Sequence, residues 1–148
     1  MNIQADIAAK PFLVLRRRLK APVETVYAAW TEPDRLLAWW GSADSKTLEA
    51  DTDLRVGGRY AVAFRTPDGE RHDVSGVYRE IVPNRKLVFS WAWRTTPERE
   101  SQVTVVLAPD GEGTLLTLTH ERFFDAAARD RHTSGWSASL DRLEAMLS

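Results

Sequence analysis

The sequence predicts an α+β domain in which a curved antiparallel sheet wraps around a long C-terminal helix. Three observations carry this expectation. Residues 46–122 alternate apolar and polar positions between short turn signals, which is the period of half-buried strands. Residues 22–41 hold two short apolar stripes of helical period, and the chain closes on one long stripe of the same kind. A sheet with one apolar face and a helix with one apolar stripe must bury those surfaces against each other.

In chain order, residues 1–10 are small and polar and are expected to be flexible, leaving 11–148 as one domain. "PFLVLRRRLKAP" reads as the first strand, with Leu13, Leu15 and Leu19 on one parity and Pro22 closing the run. Period two splits its triple arginine, sending Arg16 and Arg18 outward and Arg17 to the leucine side. Val23, Val26, Tyr27 and Trp30 then form the first helical stripe. "TEPDRLLAWWG" supplies the second helix: Thr31 or Glu32 as cap, Pro33 in the first turn, Leu36, Leu37 and Trp40 on one face, and Gly41 as the stop. Trp39 and Trp40 would stand about 100° apart on such a helix, which predicts one in the core and one at its rim.

Turn signals "TPDGE", "VPNRK" and "PDGEG" separate the following strands, and short connections between sequential strands imply an antiparallel meander. The two glycines of "VGGRYAVAF" suit a bulge or a sharp lead into the third strand, whose inward set is Tyr60, Val62 and Phe64. The next inward sets are Leu87, Phe89, Trp91 and Trp93, then Val103, Val105 and Leu107, then Leu116, Leu118 and His120. The final helix starts after Asp125, a suitable cap, and its stripe runs through His132, Trp136, Leu140, Leu143 and Leu147. Gly135 interrupts it beside Trp136, at a cost of up to about 1 kcal/mol against alanine. The small residues around it thin the helix flank that faces the sheet, leaving space either for close packing or for a guest.

Composition narrows the function. The chain has 148 residues, a net charge of −1 and a pI near 6.3, so the basic footprint of nucleic-acid or anionic-membrane binding is missing. There is no cysteine, which excludes disulfides and thiol catalysis and agrees with a cytoplasmic location. No apolar run approaches a membrane span. The six tryptophans are the unusual feature; large aromatics build cores and also line pockets.

The run "LKAPVETVYAAWTEPDRLLAWWG", then "VGGRYAVAF", "GVYREIVPNRKLVFSW", "GTLLTLTHERF" and "HTSGWSASLDRLEAML" resembles the Hsp90-ATPase-activator-homologue-like (AHSA1-like) branch of the SRPBCC superfamily, also called START or Bet v 1-like. The likeness extends from about Phe12 to Leu147. It implies a helix-grip fold with a ligand-sized cavity between sheet and helix, lined or closed by the matching Arg17, the Trp39 and Trp40 pair, and the Gly135 and Trp136 pair. It implies no shared catalytic set, and similar proteins often pair, so a homodimer is compatible with it. No interface is fixed by the pattern.

From the residues themselves, a cavity lined by Trp40, Phe64, Trp91, Trp93, Val105, Leu118, Gly135, Trp136 and Leu140 is expected to hold a small hydrophobic or aromatic molecule. Arg17, His120 and His132 are its expected polar handles, with the alternatives that the histidines are hydrogen-bonded core residues and that Arg17 pairs with Glu121 or Glu80. A second reading is an enzyme of cyclase or hydrolase type using His120 or His132 as acid or base. A third is chaperone ATPase activation, disfavoured by the lack of a long charged docking face. Neither a metal site nor a cofactor is expected: the three histidines, His72 among them, fall on separate strands and helix, "VGGR" lacks phosphate-loop spacing, and no nucleophile elbow is present.

Overall fold

The computed structural model describes residues 10–42 and 44–148; residues 1–9 of the expected flexible segment lie outside it. Its elements are β1 (Leu13–Leu19), α1 (Val23–Thr31), α2 (Pro33–Trp39), β2 (Lys46–Thr52), β3 (Arg59–Arg65), β4 (Arg71–Val82), β5 (Lys86–Trp93), β6 (Ser101–Asp110), β7 (Gly113–Glu121) and α3 (Ala126–Met146). The sheet is antiparallel with order β1-β7-β6-β5-β4-β3-β2, a meander closed by the return of β1 onto β7. Register shifts at Thr47/Glu49 and Tyr78/Glu80 mark bulges, and bulged strands bend, so the sheet curls around α3.

Period two sets the faces as the sequence requires. Leu87, Phe89 and Trp91 on β5, Val103, Val105 and Leu107 on β6, and Leu116, Leu118 and His120 on β7 are all buried. Gly57 has φ of +88°, and its N–H donates to the Tyr78 carbonyl at 2.8 Å, so the "VGG" segment turns sharply onto β3. Asp125 caps α3 through its side chain, which accepts from the Ala128 N–H at 2.8 Å.

The tryptophan pair departs from expectation: Trp39 and Trp40 are both buried. The 100° argument assumes that one helix carries both, but α2 ends at Trp39, and Trp40 turns to extended backbone with φ −65° and ψ 147°. Trp39 points back to α1, donating from Nε1 to the Ala29 carbonyl at 2.9 Å, while Trp40 stacks on Trp91 with centroids 5.7 Å apart. Through Trp30, Trp136 and Trp93 the six tryptophans form one connected aromatic cluster. Each such contact contributes about 0.5–1.5 kcal/mol beyond area burial.

The C-terminal half of α3 is pinned. Arg17 donates to Asp141 at 2.5 Å and to the Ser137 hydroxyl at 3.1 Å, tying β1 to the helix. Arg142 reaches the Trp40 carbonyl at 3.1 Å, an acceptor left over at the end of α2, and Ser139 donates to the Gly41 carbonyl. These bonds all fall after Gly135. Before Gly135, the side-chain hydrogen bond that ties the helix to the sheet among the described residues runs from Trp93 Nε1 to His132 Nε2 at 3.0 Å.

Candidate functional site

Between the N-terminal half of α3 and the ends of β3, β4 and β5 lies a cavity of about 740 Å³. Its inner wall is aromatic: Trp40, Phe64, Trp91, Trp93 and Trp136, joined by Phe123 from the β7–α3 connection. Gly135 lies on the wall, and a Cβ built on it would meet nothing within 4 Å. The glycine therefore faces open space and is not required by close backbone packing.

Seven of the residues expected from the sequence line this cavity: Trp40, Phe64, Trp91, Trp93, His132, Gly135 and Trp136. Five do not: Arg17, Val105, Leu118, His120 and Leu140. Val105, Leu118 and Leu140 share the inward parity but sit where sheet and helix are in full contact, each no more than 1 % exposed. Arg17 has the predicted inward parity but the wrong depth and partner. It spans the sheet–helix seam and pairs with Asp141, with Glu144 at 3.7 Å, and meets neither the cavity nor Glu121 or Glu80.

The two inward histidines are wired to tryptophans, and an indole N–H only donates. Trp136 Nε1 donates to His120 Nδ1 at 3.0 Å, so that nitrogen is unprotonated and Nε2–H faces the Ser101 hydroxyl at 2.7 Å. Trp93 Nε1 donates to His132 Nε2 at 3.0 Å, so His132 carries its proton on Nδ1 and gives it to the Ala128 carbonyl at 2.7 Å. Both rings are neutral, in opposite tautomers. Burial pushes the His120 pKa well below its ordinary value, and the neighbouring His132 lowers it further. Burial also lowers that of His132, against the opposing effect of its bond to the Ala128 carbonyl. Neither ring has a nitrogen free for a substrate, which removes the geometric basis for the acid–base reading. His120 is a core residue behind the Trp91 and Trp136 wall.

Sequence reasoning missed His72. The hairpin through Thr66–Glu70 pairs Phe64 with His72, so the two share a face, and their rings stack at 5.2 Å. His72 lines the cavity, one-third exposed, with Nε2 3.2 Å from the Thr66 hydroxyl. Counting back from the "PDG" turn would have placed it there.

Also missed was a charged mouth: Arg71, Arg94, Arg99 and Arg131 with Glu70 and Asp73. Arg71 is committed to Asp73 at 3.1 Å and Glu49 at 3.2 Å, and its hydrogen bonds hold the Asp73 carboxyl below the usual carboxylate range. Two buried indole nitrogens, Trp30 Nε1 and Trp91 Nε1, have no acceptor among the described residues. Both rings make edge-on aromatic contacts, Trp30 with Trp39 and Trp91 with Trp93.

The profile of the family described as Activator of Hsp90 ATPase homolog 1-like protein matches residues 20–148. The chain belongs to that family. Among solved structures, a Chromobacterium violaceum protein superposes with a TM-score of 0.83 at 30% identity, covering 93% of this chain and 97% of that one. A Silicibacter pomeroyi protein bearing the same family name gives 0.80 at 29% identity, with 93% and 97% covered. CalU16 from Micromonospora echinospora gives 0.70 at 31%, with 93% and 76% covered. No curated protein matches the sequence. Activator-homologue-like membership agrees with the helix-grip arrangement found above, and the family scaffold supports a ligand-binding cavity; which ligand or activity this member has is set by its own side chains.

Proposed function

We propose that this activator-homologue-like protein is a binding module whose cavity takes a small hydrophobic or aromatic molecule. The observation that carries the reading is the 740 Å³ space walled by six aromatic side chains and fronted by Gly135. That volume falls within the roughly 300–1,000 Å³ of small-molecule sites, and an aromatic inner wall behind a charged and polar mouth offers both apolar surface and orienting polar groups. A flat ring sliding among Trp93, Phe64 and Trp136 would gain stacking contacts each worth about 0.5–1.5 kcal/mol, from walls already held in place by the aromatic cluster.

No observation favours catalysis to the same degree, because the two inward histidines, His120 buried and His132 half-buried, spend both ring nitrogens on the protein itself. Native mass spectrometry of the protein as purified, followed by a thermal-shift screen with lipids and aromatic metabolites, tests the proposal. A bound mass, or a compound that raises Tm and loses that effect in Gly135→Leu, is the expected result. Protein that carries nothing, and that no compound in either class stabilises, would overturn it.

A further inference from the structure

The cavity is aromatic inside and cationic at its mouth. Four arginines and two carboxylates line it, in a protein whose overall net charge is −1. One of those carboxylates, Asp73, is spent on Arg71. Asp73 also feels the Arg94 charge, and Glu70 is the other lining acid; Arg94, Arg99 and Arg131 take part in no ion pair among the described residues. Other acids of the same segments are engaged elsewhere, Glu100 with Arg79 at 2.9 Å and Asp130 with Arg129 at 3.0 Å. Glu98 does not line the cavity.

The three arginines come from two parts of the chain. Arg94 and Arg99 belong to the segment joining β5 to β6, and Arg131 to the second turn of α3. The Arg94 N–H donates to the Asp73 carbonyl at 2.9 Å, fixing the start of that segment against β4. Arg99 lies over the exposed ring of Phe124, its guanidinium carbon 3.9 Å from the centroid, so its charge is held at the mouth instead of sweeping through solvent. The hydroxyls of Thr95 and Thr96 add further donors around them. Like charges gathered at the opening of a low-dielectric pocket focus their field on whatever enters it.

Resting on the cavity-binding reading above, we infer that the ligand is an amphipathic organic anion: an aromatic or apolar body seated among the tryptophans and one anionic group, such as a carboxylate, at the mouth. Arg94, Arg99 and Arg131 select for that group. Guanidinium suits this role because its planar donor fork matches a carboxylate and stays charged at every physiological pH.

The test compares two isosteric probes, 2-naphthoate and 2-naphthamide, by isothermal titration calorimetry on the wild type and on Arg94→Gln/Arg99→Gln/Arg131→Gln. All three arginines are exposed, so the triple variant is expected to keep its wild-type Tm. The inference requires the wild type to prefer the naphthoate at least tenfold, with that preference shrinking in added salt and vanishing in the triple variant. Equal binding of both probes, or a preference that survives the substitutions, sinks the inference and leaves cavity binding standing. Failure of both probes to bind would instead remove the aromatic-cavity reading, and the inference with it.

Discussion

Replacing Gly135 by alanine is expected to stabilise the protein. In the interior of α3 a glycine forfeits about 0.8–1.0 kcal/mol of helix propensity relative to alanine. Most cores would erase that gain through a clash, but the added methyl meets no atom within 4 Å. The gain comes chiefly from restricting the unfolded chain, which for compatible sites gives about 0.4–1 kcal/mol. In a chain of this size, 1 kcal/mol moves Tm by about 2–4 °C. Differential scanning calorimetry of Gly135→Ala should therefore show a rise of about 1–4 °C. Gly135→Leu should keep most of that stability while its isobutyl group occupies the space beside Trp136, weakening a cavity ligand at least tenfold. A fall in Tm for the alanine variant would mean the helix flank is packed against something that glycine alone admits. Unchanged binding by the leucine variant would mean that the space beside Gly135 is not where ligands sit.

Three further outcomes are expected. His120→Ala should cost about 3–5 kcal/mol in urea denaturation, because it hollows the core, strands the Trp136 indole and takes one of two partners from the Ser101 hydroxyl; a loss below about 1 kcal/mol would refute the role assigned to that ring. The two histidines also set a pH dependence: both have folded-state pKa values below the ordinary 6.5, so the unfolded chain binds protons first. Their stability contribution is complete above pH 6.5 and is lost as pH falls from there through the depressed folded values, at up to about 1.4 kcal/mol per pH unit for each ring. Stability measured by urea midpoints that stayed flat from pH 7 to about 5 would contradict the neutral assignment. A double-mutant cycle on Arg17→Met and Asp141→Asn should return a coupling of about 0.5–1 kcal/mol, small because the Asp141 side chain is 69% exposed; a value above about 2 kcal/mol would show that the seam is far better shielded than its exposure implies.

The fold was legible because strand faces follow from period two and helix stripes from the 3.6 repeat, and both run unbroken here. Trp91, Val103 and Leu118 could be assigned inward from neighbours in sequence alone, and Asp125 as a cap from its place before an apolar run. Depth was not legible. Parity says that Arg17 and His120 face the helix, and the helical stripe says that Leu140 faces the sheet, but whether a given inward position meets packed core, seam or open space depends on where the curled sheet parts from α3. His120 shows the difference, since its partners Ser101 and Trp136 come from β6 and α3 and saturate a ring that parity alone leaves open. The arginine mouth was hidden for a related reason: Arg131 stands more than thirty residues from Arg94 and Arg99 in sequence and joins them only through the tertiary arrangement. Trp40 was misplaced because the helix stops one residue before it.

The central claim is that the tryptophan-walled space is a ligand site. The six indole N–H groups report on it individually in a ¹H–¹⁵N correlation spectrum, since four of the rings line the cavity and two, Trp30 and Trp39, do not. Titration with 2-naphthoate or 2-naphthamide should move the signals of Trp40, Trp91, Trp93 and Trp136 most, with Trp39 held by its bond to the Ala29 carbonyl and nearly still. Indole signals that stay in place while only surface amides respond would contradict the account.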